Sequence, residues 1–239
     1  MSTSRKDRER QAREELILQH AQRLLMRDGF QDLNLDELAR AIEYSKGTIY
    51  LHFASKEDLA LAVATRALRG RADLFERALG FQGLSRERAQ AIGFACCHFM
   101  VAHPDYFHIE MMLKSDSFWE RASEAHQLEH NMQAGRTFRA VHRVVLGGLE
   151  SGDLPKKPHT TSEQLAFALI AVTMGSHVMA QAKELRLLAC IEDPIKIVRA
   201  NQHLMLDGMG WKPLPTEFDY AATDQRIKAE IFPEAVWLT

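Results

Sequence analysis

The sequence predicts an all-α protein in which an N-terminal three-helix helix-turn-helix domain precedes a larger C-terminal helical domain. Apolar residues recur at spacings of three, four and seven along most of the chain, which is the periodicity of amphipathic helices. No long stretch alternates apolar and polar residues, so strand patterns are nearly absent. With 239 residues, 46% hydrophobic and 26% charged, the chain has the composition of an ordinary globular protein.

The first helix is predicted over residues 10–27. One face of this segment carries apolar side chains at spacings of four, seven and eight: Ile17, Ala21, Leu24 and Leu25. The pair Asp28-Gly29 ends the helix, because glycine is favoured just past a helix C-terminus.

A second, short helix is predicted to begin at Asn34 and to end near Ile42. Asn34 and Glu37 have the spacing of a capping box, in which each side chain accepts from the backbone of the other residue. Ser45 opens a third helix about three residues later. Two short helices joined by such a turn and braced by a longer first helix predict a helix-turn-helix.

Residues Ser55 and Asp58 cap a longer run of helical periodicity. Further helices are predicted over 85–102, 117–148, 162–188 and 194–207, separated by prolines and glycines. The predicted organisation is a helix-turn-helix domain at 1–56 with a basic arm at 1–13, a connecting helix at 57–79, a helical effector-binding and dimerisation domain at 80–210, and a tail at 211–239.

The third helix is predicted to bury Ile49 and Phe53 and to turn its other residues outward. Such a helix enters the DNA major groove with its N-terminal end toward the base edges. Gly47 costs roughly 1 kcal/mol of helix propensity but lets the backbone approach a duplex closely. The same spacing also occurs in helical proteins that bind no DNA. The candidate DNA-binding residues are Asn34, Ser45, Lys46, Gly47, Thr48, Tyr50, Leu51, His52 and Lys56.

Four short runs within residues 17–63 resemble the N-terminal domain of the tetracycline-repressor (TetR) family. They are GF at 29–30, LDELARA at 35–41, SKGTIYLHF at 45–53 and SKEDL at 55–59. The resemblance implies a dimeric, all-helical transcription factor, usually a repressor that a small molecule releases from DNA. It also implies that Lys46, Gly47, Thr48 and Tyr50 lie against the DNA, and that Tyr50, His52 and Lys56 hold its backbone.

One residue departs from the family pattern. The family usually has glycine in the turn before the recognition helix, where this sequence has Glu43. A left-handed backbone at a residue other than glycine costs about 1 kcal/mol or more. An acidic side chain that faces phosphates would add repulsion, so we expect Glu43 to be solvated and turned aside.

Charge and cysteine usage constrain the partners and the compartment. Residues 1–13 carry five basic and two acidic side chains, while the whole chain has a net charge of -2. This basic arm suits a polyanionic partner, and a frayed, solvated terminus explains it equally well. Three cysteines, two of them adjacent, do not form a disulfide framework. The N-terminus lacks the apolar core of a signal peptide, so the chain is predicted to be cytoplasmic.

Residues 164–182 contain no charged side chain, which raises the possibility of a membrane span. Five polar residues and Gly175 interrupt the run, so we favour a helix buried on nearly all sides within protein and predict no membrane partner. Together with an apolar stripe at 195–206, this helix has more apolar surface than one small domain covers. We therefore predict a homodimer through the helices near 162–188 and 194–207.

The C-terminal domain is predicted to bind a small, largely apolar effector. Methionines suit a pocket of adaptable shape, although simple core packing explains each of them as well. The candidates are Phe107, His108, Glu110, Met111, Met112, Met132, Phe138, Met174 and His177, with Met179 nearby. His126 and His130 have a spacing that can chelate, but their surroundings are typical of a solvated surface. We predict no metal, no cofactor and no catalytic residue.

Three functions are compatible with these patterns. The first is a ligand-responsive repressor on a palindromic operator in double-stranded DNA. The second is a DNA-anchored scaffold whose helical body binds a protein. The third is a helical enzyme that processes a small molecule, which is disfavoured because no nucleophile and base occur at a telling spacing.

Overall fold

The computed structural model describes residues 4–104, 106, 109–110 and 119–236, and within these parts the regular structure is helical, without strands. The chain forms two compact units. The N-terminal unit comprises Met1–Gly70 with His103–Ala134, and the C-terminal unit comprises Arg71–Ala102 with Gly135–Thr239. The predicted all-α class is confirmed, whereas the predicted domain boundaries stay a prediction.

The first four helices follow the predicted order: α1 (Arg5–Asp28), α2 (Leu35–Ala41), α3 (Lys46–Tyr50) and α4 (Lys56–Ala78). The start of α1 lies five residues before the predicted one. Ser4 and Asp7 form a capping box there, in which the Ser4 hydroxyl accepts from the Asp7 N–H at 3.2 Å and the Asp7 carboxylate accepts from the Ser4 N–H. This cap satisfies free backbone groups, so the basic arm continues the helix.

Helix α2 begins at the predicted cap but without the predicted capping box. The Asn34 side chain accepts from the backbone N–H groups of Asp36 and Glu37 at 2.9 and 3.2 Å. The Glu37 carboxylate accepts from Arg27 Nη2 at 2.8 Å, so it bonds to α1 instead of reaching back to Asn34. An ion partner from another helix has replaced the local bond.

The core of the N-terminal unit holds the apolar faces of α1 to α4. The side chains that are at most 1% exposed include Ile17, Ala21, Leu38, Ile49, Phe53, Leu59 and Val63. Ile49 and Phe53 therefore point inward as predicted, which fixes the opposite face of α3 toward solvent.

The remaining described helices are α5 (Ser85–Ala102), α6 (Glu124–Ser151), α7 (Ser162–Gln181), α8 (Lys183–Leu188), α9 (Pro194–Gly208) and α10 (Tyr220–Glu230). The bounds of α5 are those predicted, and α9 differs by one residue. Helix α6, predicted over 117–148, begins at Glu124 and continues through both of its late glycines to Ser151.

The predicted single helix over 162–188 is wrong. Ala182 leaves the helical region with ψ of 114° and separates α7 from α8. Neither glycine nor proline marks this break, so the local sequence contains no signal for it.

The segment after α9 contributes to the core of the C-terminal unit, although its sequence pattern predicts no structure for it. Trp211, Ile227 and Phe232 are each fully buried, and the Phe94 and Phe232 rings stack with centroids 5.6 Å apart. The Trp211 ring lies so close to α6 that a Cβ at Gly148 would come within 2.4 Å of it. Glycine is required there by this close approach.

Buried polar bonds also fix this segment. The Arg86 side chain is 0% exposed, donates from Nη1 to the Trp211 carbonyl at 2.6 Å and forms an ion pair with Asp207. Arg199 forms a second ion pair with Asp224 of α10. Paired and hydrogen-bonded charges are the form in which buried arginines are tolerated.

Helix α7 is the one described helix that is long and apolar enough to cross a membrane, judged by length and composition alone. Only 28% of its apolar window is buried within the chain, so burial on nearly all sides does not hold for a single copy. Phe167 and Met179 are 65% and 56% exposed. One face of α7 packs on α9 and the other faces away from the chain's own core.

Candidate nucleic-acid interface

Helix α3 is held at its start by a serine cap. The Ser45 hydroxyl accepts from the Thr48 N–H at 3.1 Å and lies 2.9 Å from the Thr48 hydroxyl. The cap satisfies one free donor, and the first turn of the helix stays exposed to solvent. An exposed, capped N-terminal turn is the part of a recognition helix that meets base edges.

The outward side of α3 carries the predicted contact residues. Lys46 and Gly47 are exposed and Thr48 is half-buried. Tyr50 and Leu51 are 49% and 78% exposed, so both side chains are accessible to a partner. The inward and outward division of α3 thus agrees with the sequence pattern.

Gly47 is not required by packing within the protein. A Cβ at this position would meet only the Ser45 hydroxyl, at an ordinary contact distance of 3.6 Å. The described neighbours therefore leave room for alanine, which would favour the helix by roughly 1 kcal/mol. A requirement for glycine at this position would have to come from a molecule outside the chain.

Lys46 already has an acidic neighbour. Its Nζ lies 2.9 Å from an Asp36 carboxylate oxygen on α2, and this hydrogen bond raises the pKa of Lys46. Both side chains are exposed, and exposed ion pairs contribute little to stability. Lys46 is therefore free to exchange Asp36 for a phosphate or a base edge.

Three other predicted DNA contacts are engaged within the protein. Asn34 caps α2 through its side-chain oxygen. Lys56 Nζ donates to the Gln31 carbonyl at 2.6 Å and lies 4.8 Å from the Phe30 ring centre. The His52 side chain is only 3% exposed, with Nδ1 3.5 Å from a Glu14 oxygen. A phosphate contact by His52 requires its ring to turn outward, and all three roles stay predictions.

Glu43 adopts the left-handed conformation expected at a position where the TetR family, which this segment resembles, usually has glycine. Its φ is 57°, and the residue is exposed. A side chain with a Cβ is strained there by about 1 kcal/mol or more. The turn therefore has the left-handed backbone that suits glycine, although the residue at this position is glutamate.

A buried carboxylate fixes the turn that follows α3. Asp58 is 1% exposed, and its Oδ2 accepts from the Ala54 N–H at 2.8 Å. Its Oδ1 accepts from the N–H and the hydroxyl of Ser123, both at 2.9 Å, and lies 2.7 Å from His126 Nδ1. The His126 ring also stacks on Phe53 with a centroid separation of 5.5 Å. We call Asp58, Ser123 and His126 the carboxylate cluster.

The carboxylate cluster shifts the titration of both of its ionisable groups. Burial acts to raise the pKa of Asp58, but the bonds from His126, Ser123 and Ala54 outweigh it and lower the pKa to about 2. The hydrogen bond to Asp58 raises the pKa of His126 against the opposing effect of burial. The cluster thus holds the residues next to the recognition helix most firmly when Asp58 is ionised and His126 is protonated.

The sequence pattern indicates only one of the three residues of this cluster. Asp58 is recognisable from its distance to Ser55, whose hydroxyl accepts from the Asp58 N–H at 2.9 Å. For His126 the pattern suggests only a chelating pair with His130. The two rings have separate partners, because His130 Nδ1 lies 3.0 Å from the Thr65 hydroxyl.

The predicted effector residues differ widely in how deeply they are buried. Phe107, His108, Met111 and Met112 lie outside the described residues. Glu110 is half-buried and Met132 is 49% exposed. Phe138 and Met174 pack against the core of the C-terminal unit, and His177 is 4% exposed, with its pKa lowered by burial. Met179 lines a groove of about 310 Å³ with residues of α8 and α9.

Comparison with family models gives one match. Residues 17–63 match the model described as bacterial regulatory proteins, tetR family. The match covers the buried face of α1, all of α2 and α3 and the start of α4, and it confirms the resemblance indicated by the runs at 29–59. Comparison with curated proteins gives no match.

Several solved structures share the fold. A TetR family transcriptional regulator, PfmR, from Thermus thermophilus is 19% identical, with a TM-score of 0.58 over 80% of this chain and 97% of that chain. The fatty acid degradation regulator FadR from Bacillus halodurans is 16% identical, with a TM-score of 0.61 over 81% and 98%. A transcriptional regulator from Saccharomonospora viridis in complex with choline is 18% identical, with a TM-score of 0.61 over 82% and 96%.

Proposed function

We propose that this chain is a DNA-binding transcription regulator of the tetR family. In this proposal it acts as a cytoplasmic homodimeric repressor. A small, largely apolar effector releases it from a palindromic operator. The observation that carries the proposal is the outward face of α3, where Lys46, Gly47 and Tyr50 are exposed on a capped helix start. Two such helices, one from each copy, would read the two halves of a palindrome.

The homodimer is supported by the exposed apolar face of α7 and α9. Phe167, Ala171 and Val178 are exposed at helical spacing on α7, and Leu204 is 65% exposed on α9. The two helices pack against each other within the chain, where Asn201 donates to the Ser176 hydroxyl at 2.9 Å. Pairing this face with its copy buries it in a four-helix arrangement.

The proposed dimer predicts a specific effect of charge on the α7 and α9 face. Phe167→Glu with Leu204→Glu is expected to give monomers in sedimentation at micromolar concentration. Leu128→Glu is the control, because Leu128 is equally exposed at 65% but lies in α6 outside this face. A wild-type chain that sediments as a monomer would contradict the proposal.

The proposed effector site uses the buried polar groups of α7. His177 and Thr173 are 4% and 8% exposed beside apolar core residues, and the Thr173 hydroxyl is 3.3 Å from Gln202 Nε2. A few polar groups in an apolar interior are typical of small-ligand sites. One similar structure is a regulator of fatty acid degradation, so fatty acids are the first effectors to test by loss of operator binding. Another contains choline, which serves as the charged compound for comparison.

The deciding experiment for DNA binding is the substitution of Gly47. Gly47→Ala is expected to raise or maintain the free energy of unfolding, since the protein leaves room for a Cβ. It is also expected to weaken operator binding at least tenfold, because the added methyl group holds the backbone away from the duplex. The operator is first selected from random duplex DNA by the wild-type protein and located by footprinting.

Gly208→Ala is the matched control, since a Cβ at Gly208 meets no described atom within 4 Å and this position lies at the end of α9. If Gly47→Ala and the wild type bind the operator with equal affinity, the proposed close approach of the α3 backbone to the duplex is wrong. Failure of the wild-type protein to select any preferred sequence would remove the repressor function itself.

A further inference from the structure

The helical arm at the start of α1 carries a row of basic side chains on one face. Lys6, Arg10 and Arg13 are spaced by four and three residues, so they align along the helix. The same row continues to Ile17, which is 0% exposed. The row therefore lies on the side of α1 that meets the body of the N-terminal unit, and it extends about three turns beyond the first buried residue.

Arg13 links this basic row to the recognition helix. Its guanidinium lies 5.5 Å from the centre of the Tyr44 ring, and Tyr44 immediately precedes the α3 cap Ser45. Arg13, at one end of the basic row, therefore lies next to the N-terminal end of α3. From Arg13, Arg10 is about 4.5 Å and Lys6 about 10 Å farther along the helix axis.

The basic row has spare capacity for an anion. Lys6 and Arg10 are exposed and take part in no ion pair among the described residues. Arg13 is half-buried and likewise forms no ion pair in the part of the chain that the structure describes. The nearby acids are engaged, since Asp7 caps the helix with Ser4 and Glu9 pairs with Arg5 at 2.8 Å.

The capping box at Ser4 keeps the arm helical and so keeps the row aligned. Without this cap the first turns would fray, and the side chains would lose their common direction. A rigid row of two or three cations, spaced about 4.5 and 6 Å along the helix axis, can follow a run of phosphates along the backbone of a duplex.

We infer that Lys6, Arg10 and Arg13 form a phosphate-binding ridge that extends the DNA footprint outside the bases read by α3. This inference rests on the proposed function, because it requires the N-terminal end of α3 to face a duplex. The ridge binds the sugar-phosphate backbone and carries no sequence information. It strengthens binding to operator and random duplex to a similar extent and adds salt dependence to both.

The test removes equal charge from the two sides of the arm. Lys6→Gln with Arg10→Gln removes the ridge, and Arg5→Gln with Arg8→Gln is the control, because those two side chains lie about 100–160° away around the helix. Affinity for the selected operator and for random duplex is measured across a salt range of about 50 to 300 mM. Circular dichroism establishes that both variants keep their helix content.

The ridge variant is expected to lower the slope of log affinity against log salt by about 0.9 for each phosphate that the protein no longer neutralises, which is up to roughly 3.6 for a dimer. The control variant is expected to keep most of the wild-type slope. Equal slopes for the two variants, with operator selection intact, would overturn the ridge and leave the proposed repressor standing. A wild-type protein without any preferred sequence would overturn the proposed function, and the ridge with it.

Discussion

The N-terminal and C-terminal units are both helical, but they are held together over very different distances along the chain. The core around α3 joins Leu38, Ile49 and Leu59, which are close neighbours in sequence. In the C-terminal unit, Arg86 bonds to the Trp211 carbonyl across 125 residues, and Gln90 bonds to Asp224 across 134. Local periodicity therefore describes the first core well and the second poorly, because periodicity carries no information on which distant segments meet.

The carboxylate cluster sharpens this contrast, since it lies in the N-terminal unit and yet escapes the sequence pattern. Asp58 bonds to Ala54 across four residues and to Ser123 across 65. The helix cap indicates the short-range bond, and nothing local indicates the long-range ones. Sequence separation, more than the choice of unit, decides what a linear pattern reveals.

The largest expected effect tests whether the segment after α9 is core. Phe232→Ala is expected to lower the free energy of unfolding by about 3–5 kcal/mol, because the variant lacks a fully buried ring that stacks on Phe94. Urea denaturation measures this change. Val236→Ala is the control, since Val236 is 80% exposed and close by in sequence. Similar unfolding midpoints for the two variants would contradict the burial of this segment.

The next effect tests the close approach of α6 to Trp211. Gly148→Ala is expected to destabilise the protein by about 1–3 kcal/mol, because its Cβ would lie 2.4 Å from the indole ring. Gly147→Ala, with 3.8 Å to its nearest neighbour, is expected to be neutral or stabilising by up to about 1 kcal/mol. Thermal unfolding of the pair separates helix propensity from packing, and equal shifts in Tm would refute the close approach.

The carboxylate cluster predicts a dependence of stability on pH. The raised pKa of His126 gives a contribution that is complete below its ordinary value of 6.5 and is lost as pH rises through its folded value. The lowered pKa of Asp58 gives one that is complete above 3.8 and is lost as pH falls through about 2. The two contributions coincide between about pH 4 and 6.5.

His126→Gln is therefore expected to cost about 1.5–3 kcal/mol at about pH 6, in the range for hydrogen bonds to charged groups, and less at about pH 9. Urea denaturation at the two pH values gives the comparison. His20→Gln, at a half-exposed histidine of α1, is the control. A cost for His126→Gln that is the same at both pH values would show that the ring acts through packing on Phe53 and not through its charge.

The smallest expected effect concerns Glu43. Glu43→Gly removes the strain of a left-handed backbone, which costs about 1 kcal/mol or more. Glycine also gives the unfolded chain more conformational freedom, which offsets part of this gain in stability. The stability gain is therefore expected to stay below about 1 kcal/mol. Operator affinity is expected to rise, with the larger rise at low salt, because a negative charge near the duplex is removed. Glu43→Gln separates the charge from the backbone conformation.

The sequence by itself determined the helical class, the order of the first four helices, the inward and outward faces of α3 and the similarity of residues 17–63 to the tetR family. These follow from the period of the helix, from caps such as Ser45 and Asn34, and from a motif whose residues are consecutive. The apolar composition of α7 indicates a helix whose surface must be buried against other protein, but composition does not specify which surface buries it.

Only the tertiary structure decided the partner of Asp58, the break at Ala182, and the burial of Trp211 and Phe232. It also placed Arg13 on Tyr44 and so gave the basic arm a direction. Each of these depends on contacts between residues far apart in sequence or on a backbone angle that the local residues do not dictate. The free energy that stabilises these contacts comes from the assembled core, so no single stretch of sequence predicts them.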